Sequence, residues 1–194
     1  MGVRFPPGAG TSVDFERVLG TLLDGFESRG IRCALMGGFA MGALGVPRAT
    51  LDVDFLVHQD DLPKLGELMM SLGYRKHYGS ENVSQYEHPD DRWGAVDFIH
   101  AFREISLGML QRARLLPAFS GKRTLRVLEP EDVIGLKVQA LANNPKRLSR
   151  ETADIEALLR AHRGKLDTAR LEEYFQLFGL SPLLASLRER CDAD

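Results

Sequence analysis

The chain has few cysteines, little charge imbalance and no long hydrophobic run, and each absence excludes a class of protein. Its 194 residues include only Cys33 and Cys191, so neither a disulfide framework nor a cysteine zinc site is expected. Its 25 basic residues nearly balance 27 acidic ones, and the net charge of −2 argues against a general DNA-coating protein. No apolar stretch approaches the roughly 20 residues that a membrane span requires.

The first ten residues lack the apolar run that a signal peptide would contain. Together with the low cysteine content, this favours a soluble protein of the cytoplasm. Hydrophobic residues make up 44% of the chain, as in an ordinary globular protein with one large domain or with one domain and a smaller second part.

The hydrophobic pattern changes along the chain from mixed elements to helices alone. Helical spacing over residues 15–26 is followed by apolar runs of strand length, the clearest at 31–36, 53–57 and 95–100. From Pro130 onward the segments have helical spacing. We therefore predict an α/β (α+β) fold, with a mixed sheet and flanking helices in residues 1–128 and a C-terminal helical subdomain in residues 129–194.

Three aspartates stand inside apolar, strand-like segments. Asp52 and Asp54 flank one valine, so on a strand they point to the same face, about 7 Å apart. Asp97 lies in the next strongly apolar run. Because buried carboxylates need a partner or a cation, three of them on neighbouring strands suit a hard divalent ion such as Mg²⁺. The aspartate pair alone is also compatible with a turn or with cap residues at a strand end.

Two glycines separate the first apolar strand from a short helix. Gly37 and Gly38 allow backbone amides to approach a phosphate closely, although a tight turn is the alternative explanation. Arg48 and Thr50 follow, just before the aspartate pair. This compact order would place phosphates next to metal ions, which is the arrangement that nucleotidyl transfer needs.

Leu35-Met36-Gly37-Gly38, followed after thirteen residues by Asp52-Val53-Asp54, resembles the signature of the DNA polymerase beta-like nucleotidyltransferase superfamily. The Pro-Arg-Ala-Thr segment at 47–50 is similar to the branch of minimal and abortive-infection (AbiEii-type) nucleotidyltransferases. Residues 131–141 and 150–155 resemble later motifs of that branch. The resemblance implies a nucleotidyltransferase fold.

The resemblance also implies roles for individual residues. Asp52 and Asp54 would ligate two Mg²⁺ ions that hold the triphosphate. Asp97 would share one ion and act as, or orient, the base that activates an acceptor hydroxyl. Lys137 would neutralise phosphate charge, and it would be a catalytic residue together with the three aspartates. The nucleotide-binding residues would be Gly37, Gly38, Arg48, Thr50, Lys137 and Asp154. Two positions depart from the pattern, since Gly38 replaces a frequent serine and Glu151 a frequent aspartate.

Basic residues are concentrated in residues 103–150, which hold ten of them against four acidic residues. The excess indicates either a solvated face or a patch that binds nucleotide phosphates or an RNA backbone. If RNA is the acceptor, surface residues on the same side as the carboxylates should come from this set: Arg112, Arg114, Lys122, Arg123, Lys146, Arg147 and Arg150.

The sequence therefore predicts a Mg²⁺-dependent enzyme that moves a nucleoside monophosphate from an NTP to an acceptor hydroxyl. The leading biological role is a toxin of a toxin–antitoxin system that acts on tRNA or another RNA, with an antitoxin protein as partner and no membrane. A small-molecule, aminoglycoside-type nucleotidyltransferase is the first alternative. A catalytically weak nucleotide- or partner-binding module is the second.

Overall fold

A computed structural model describes residues 13–192, so the segment inspected for a signal peptide lies outside the described residues. The helices are α1 (Phe15–Arg29), α2 (Gly37–Ala43), α3 (Leu62–Ser71), α4 (Glu104–Arg112), α5 (Pro130–Asn143), α6 (Leu148–Ala161), α7 (Thr168–Leu177) and α8 (Ser181–Asp192). The strands are β1 (Cys33–Met36), β2 (Asp52–His58), β3 (Arg75–Gly79), β4 (Val83–Glu87), β5 (Ala95–Ala101), β6 (Arg114–Ala118) and β7 (Arg123–Val127). Over residues 13–192 no helix has the length and apolar character needed to cross a membrane.

The seven strands form one sheet in the order β3-β4-β5-β2-β1-β7-β6. Strand β2 runs parallel to β5, and β1 runs parallel to β7. The remaining neighbours are antiparallel. The predicted mixed sheet with flanking helices is therefore confirmed.

One face of the sheet packs against α1. Asp14 caps the start of that helix, because its side chain accepts a hydrogen bond from the Arg17 amide, and Gly30, whose φ of 61° suits a left-handed cap, follows its last residue. The ring of Phe26 meets Phe55 of β2 edge-on at 5.1 Å between centroids. Each large apolar side chain buried in this layer contributes about 1.5–3 kcal/mol relative to exposure.

Two elements were not predicted from the sequence. Helix α4 contains Gly108, a poor helix former, and buries only Met109 and Leu110, so its apolar stripe is short. Strand β6 contains Pro117, which a central strand would not tolerate. Strand β6 lies at the sheet edge. Alternate N–H groups of an edge strand point away from the sheet and have no neighbouring strand to bond, so a proline is tolerated there.

The chain divides into two compact units. The first contains the sheet and ends at Leu128, and the second contains Glu129 and the residues after it together with the short segment Leu44–Val46. In the second unit, α5 packs on both α6 and α7. We propose these units as the nucleotidyltransferase core and the helical subdomain.

Candidate active site

The sheet places the three predicted catalytic aspartates on one face. Asp54 of β2 is directly in register with Asp97 of β5 in the parallel pairing, and Asp52 pairs with Ala95. Residues in register on paired strands point to the same side, and residues two apart on one strand do too. Val53 and Phe55 are fully buried on the opposite face, which is the one packed against α1. The strands thus direct three carboxylates away from the core.

Gln85 of β4 also faces this site, and it was not predicted from the sequence. It pairs with Asp97 in the antiparallel register, and its Nε2 donates a hydrogen bond to Asp97 Oδ2 at 2.9 Å. Burial raises the pKa of the Asp97 carboxyl, the Gln85 hydrogen bond opposes that shift, and the nearby charges of Asp52 and Glu87 add to it. A carboxylate with a raised pKa is better suited to accept a proton.

The donor set of this face fits a hard divalent cation in type, because carboxylate oxygens are the ligands that Mg²⁺ prefers. Among residues 13–192, however, no group of three or more His, Cys, Asp or Glu side chains is arranged so that it could hold a metal ion. The register fixes the backbone positions of Asp54 and Asp97 side by side. Gathering the carboxylates around an ion therefore requires rotation of side chains and no change of strand pairing.

The Gly37-Gly38 pair lies directly against the acidic site. Gly37 has a φ of +66°, and a Cβ there would collide with the carboxylate of Asp54. A Cβ on Gly38 would lie 2.8 Å from the Cβ of Thr50. The side chain of Thr50 therefore fills the space that a serine at position 38 would need. Both glycines allow a close approach of β1 and α2 to the next segment of the site.

The site's dependence on Gly37 can be tested by replacing it with alanine. We expect Gly37→Ala to lower the free energy of unfolding by at least about 1–2 kcal/mol, because its left-handed backbone disfavours a side chain. The displaced Asp54 carboxylate should also lower the rate of nucleotidyl transfer at least tenfold. Urea unfolding and a transfer assay measure the two effects.

Gly42→Ala in the same helix is the matched control. A Cβ at Gly42 meets nothing within 4 Å, so this change should raise stability by about 0.5–1 kcal/mol and leave the rate unchanged. Equal effects of the two substitutions would contradict the proposed close approach.

Arg48 and Thr50 lie in the first unit, in the segment that leads into β2. The hydroxyl of Thr50 donates to the carbonyl oxygen of Asp52 at 3.2 Å, so Thr50 is tied to the start of the acidic strand. Arg48 Nη1 donates to the carbonyl of Ala49 at 3.3 Å. Contact of either residue with a nucleotide stays a prediction.

Several basic residues of the first unit lie away from the carboxylates. The strand register shows on which face of the sheet Arg114 lies. Arg114 pairs with Val127, which in turn pairs with Leu35. Leu35 pairs with Phe55, whose side chain packs against α1. Arg114 therefore lies on the α1 side of the sheet, opposite Asp54. Arg123, four residues before Val127 on the same strand, shares that side and pairs with Asp24 of α1 at 3.0 Å through Nη2. Lys122 Nζ lies 3.7 Å from Glu16 Oε1, also on α1.

Lys137 and Asp154 belong to the second unit, where they form an ion-pair cluster. Lys137 Nζ lies 2.6 Å from Asp154 Oδ2 and 3.1 Å from Glu151 Oε2. Arg147 Nη2 lies 2.6 Å from Glu151 Oε1, an ion pair without hydrogen-bond alignment. The side chains of Lys137, Glu151 and Asp154 are only 12%, 2% and 9% exposed. Glu151 replaces the aspartate that is frequent at this position, and its carboxylate still forms an ion pair with Lys137.

Comparison with known proteins decides the family. The sequence profile of a family described as uncharacterised nucleotidyltransferases matches residues 11–193. The chain belongs to this family. A search of curated proteins finds no match. The narrower abortive-infection branch stays a prediction, while membership favours the enzyme over the alternative of a binding module.

Solved structures share the fold of this nucleotidyltransferase. The antibiotic-resistance factor ANT(2'')-Ia has a TM-score of 0.62 at 18% identity, over 94% of this chain and all of that one. The lincosamide antibiotic adenylyltransferase LnuA has 0.55 at 15% identity, over 76% of this chain and 97% of that one. An antigenic nucleotidyltransferase-like protein from Paracoccidioides brasiliensis has 0.54 at 20% identity, over 91% and 93%. At these identities the likeness establishes the fold.

Proposed function

We propose that this nucleotidyltransferase moves a nucleoside monophosphate from an NTP to a hydroxyl group of a small molecule. The observation that carries the choice of acceptor is the placement of Arg114, Lys122 and Arg123, three of the four residues of the first unit that were expected to contact RNA. In the unit that holds the carboxylates, Arg114 and Arg123 lie on the opposite side of the sheet, and Lys122 and Arg123 pair with α1. An RNA backbone needs several basic residues spread along a path beside the site, whereas a small acceptor needs only one or two charge contacts. Two proteins of similar fold are the antibiotic-resistance factor ANT(2'')-Ia and the lincosamide antibiotic adenylyltransferase LnuA.

The chemistry follows from the carboxylate face. Asp52, Asp54 and Asp97 would hold Mg²⁺, which when bound would neutralise charge on the triphosphate and on the leaving pyrophosphate. The acceptor oxygen attacks the α-phosphorus, the bond from that phosphorus to the bridging oxygen of the pyrophosphate breaks, and pyrophosphate leaves. The Asp97 carboxylate, which lies in register with Asp54, accepts the proton of the acceptor hydroxyl as the new bond forms. The Gly37-Gly38 backbone would contact the β and γ phosphates, with the Thr50 hydroxyl beside them.

The test is a transfer assay with each labelled NTP, Mg²⁺ and two sets of acceptors. One set is total cellular RNA, and the other is a panel of hydroxylated small molecules that includes aminoglycosides and lincosamides. We expect a small molecule to gain the mass of one nucleoside monophosphate, at a rate that changes little between low and moderate salt. Label that enters only RNA, with a steep loss of rate at higher salt, would overturn the choice of acceptor.

RNA is the second candidate acceptor, and one segment of the second unit favours it. Residues 142–150 are all exposed and include Lys146, Arg147 and Arg150, together with Leu148, which is 51% exposed. Such a segment suits contact with a nucleic-acid backbone or with a protein partner such as an antitoxin. If RNA is the acceptor, Lys146→Glu/Arg150→Glu should weaken RNA binding and spare NTP binding. RNA affinity should also fall by about 0.7 log units per tenfold salt for each phosphate contact.

A further inference from the structure

We infer that Gln85 is a positioning residue for the proposed metal site, holding one oxygen of the Asp97 carboxylate so that the other oxygen can ligate the cation. The inference rests on the proposed function, because it takes Asp97 to be a metal ligand. Gln85 was not among the residues that the sequence indicated. Its position is set by strand β4, which borders β5 on the side away from β2.

The contact is built by backbone register as well as by one side-chain rotamer. Gln85 pairs with Asp97, and Asp97 pairs with Asp54, so the three side chains form a row across adjacent strands on one face. The Gln85 amide nitrogen lies 2.9 Å from Asp97 Oδ2. With Oδ2 engaged, Asp97 Oδ1 is the oxygen left to face a cation held between the strands.

Packing of the core does not account for Gln85. Strand β4 supplies the core with its other face, where Ser84 and Tyr86 are 2% and 5% exposed. The Tyr86 ring packs edge-on against Phe98 at 5.8 Å between centroids. Gln85 lies on the opposite face, next to Tyr78 in the register with β3, and Tyr78 is 51% exposed. The amide is thus partly buried at the site while the strand's apolar packing lies elsewhere.

A hydrogen bond to a metal ligand fixes the ligand's orientation before the ion arrives. Without it, the Asp97 carboxylate would be free to rotate, and gathering the ligands would cost additional conformational entropy. Loss of such an outer contact typically reduces metal affinity or activity by about 10–100-fold. The same contact favours the charged form of Asp97, which is the form that binds a cation.

The experiment measures Mn²⁺ binding by electron paramagnetic resonance, in the presence of a non-hydrolysable NTP analogue. Gln85→Met, which keeps the length of the side chain and removes the donor, should weaken Mn²⁺ binding at least tenfold and lower the transfer rate similarly. The melting temperature should stay within a few degrees of the wild type. Gln85→Leu is the second variant; it also removes the donor and should cause a similar loss. Lys76→Ala, on the other face of the same hairpin, is the control and should bind Mn²⁺ normally.

Asp97→Asn distinguishes failure of the positioning role of Gln85 from failure of the proposed metal site. If Asp97→Asn loses Mn²⁺ binding while both Gln85 variants bind like the wild type, the positioning role is wrong and the proposed metal site stands. If Asp97→Asn itself binds Mn²⁺ normally, the proposed metal site and the role of Gln85 are both overturned. A lower melting temperature in the Gln85 variants with unchanged Mn²⁺ affinity would assign Gln85 a purely structural role.

Discussion

Asp54→Asn is expected to reduce the rate of nucleotidyl transfer by about 1000-fold or more while leaving the fold intact. Asp52 and Asp54 of β2 and Asp97 of β5 form an acidic row, in which Asp54 is the middle residue, in register with Asp97 and against Gly37. The amide keeps the size of the side chain and removes the charge that would hold a cation on the triphosphate. A 1000-fold loss corresponds to about 4 kcal/mol of transition-state stabilisation. Removing one of several like charges should leave the melting temperature unchanged or slightly higher.

Asp60→Asn is the matched control for this loss. Asp60 follows β2 in the same unit, its side chain is 76% exposed, and the substitution changes the charge by the same amount. It should transfer nucleotides within twofold of the wild-type rate. A transfer assay with Mg²⁺ and thermal unfolding of both variants give the comparison. If Asp54→Asn kept more than a tenth of the wild-type rate, the acidic row would not be the catalytic centre.

The elements that position the acidic row could be predicted because their hydrophobic patterns are strong. In β2 and β5, aspartates interrupt runs of valine, phenylalanine and isoleucine, which favour strands and alternate between two faces. Helix α1 has both an apolar stripe and a glycine at its end. In contrast, α4 and β6 carry short or interrupted patterns, and tertiary contacts decide their conformation. Local sequence was therefore sufficient where one face of an element is continuously buried.

The side chains that complete the site depend on strand register, which local sequence does not specify. Nothing near Gln85 in the chain indicates that β4 will pair with β5 so that its amide meets Asp97. The position of each basic residue also depends on the fold, because the sequence does not specify which side of the sheet a residue occupies. Arg123 contributes to the local excess in the sequence, yet its charge is offset by Asp24, 99 positions away in the chain.

Lys137→Met is expected to destabilise the second unit by about 3–5 kcal/mol. The lysine sits between Glu151 and Asp154, and all three side chains are largely buried. The substitution removes one counter-charge from two buried carboxylates, of which Glu151 keeps its ion pair with Arg147. Losing one partner of a buried ion pair typically costs about 3–5 kcal/mol. Any effect of Lys137→Met on nucleotide binding would therefore be accompanied by a large loss of stability. Urea unfolding measures it, and Lys146→Met, at an exposed position, should change stability by less than about 0.5 kcal/mol.

A compensated variant separates stability from the predicted phosphate contact of Lys137. In Lys137→Met/Glu151→Gln/Asp154→Asn the buried charges are removed together, so much of the lost stability should return. NTP affinity can then be compared with that of the wild type in a folded protein. An affinity at least tenfold weaker, equal to about 1.4 kcal/mol, would support a contact between this charged cluster and the phosphates. Unchanged affinity would show that the cluster is a structural ion pair. A stability loss below about 1 kcal/mol in Lys137→Met would contradict the expected cost of breaking this buried ion pair.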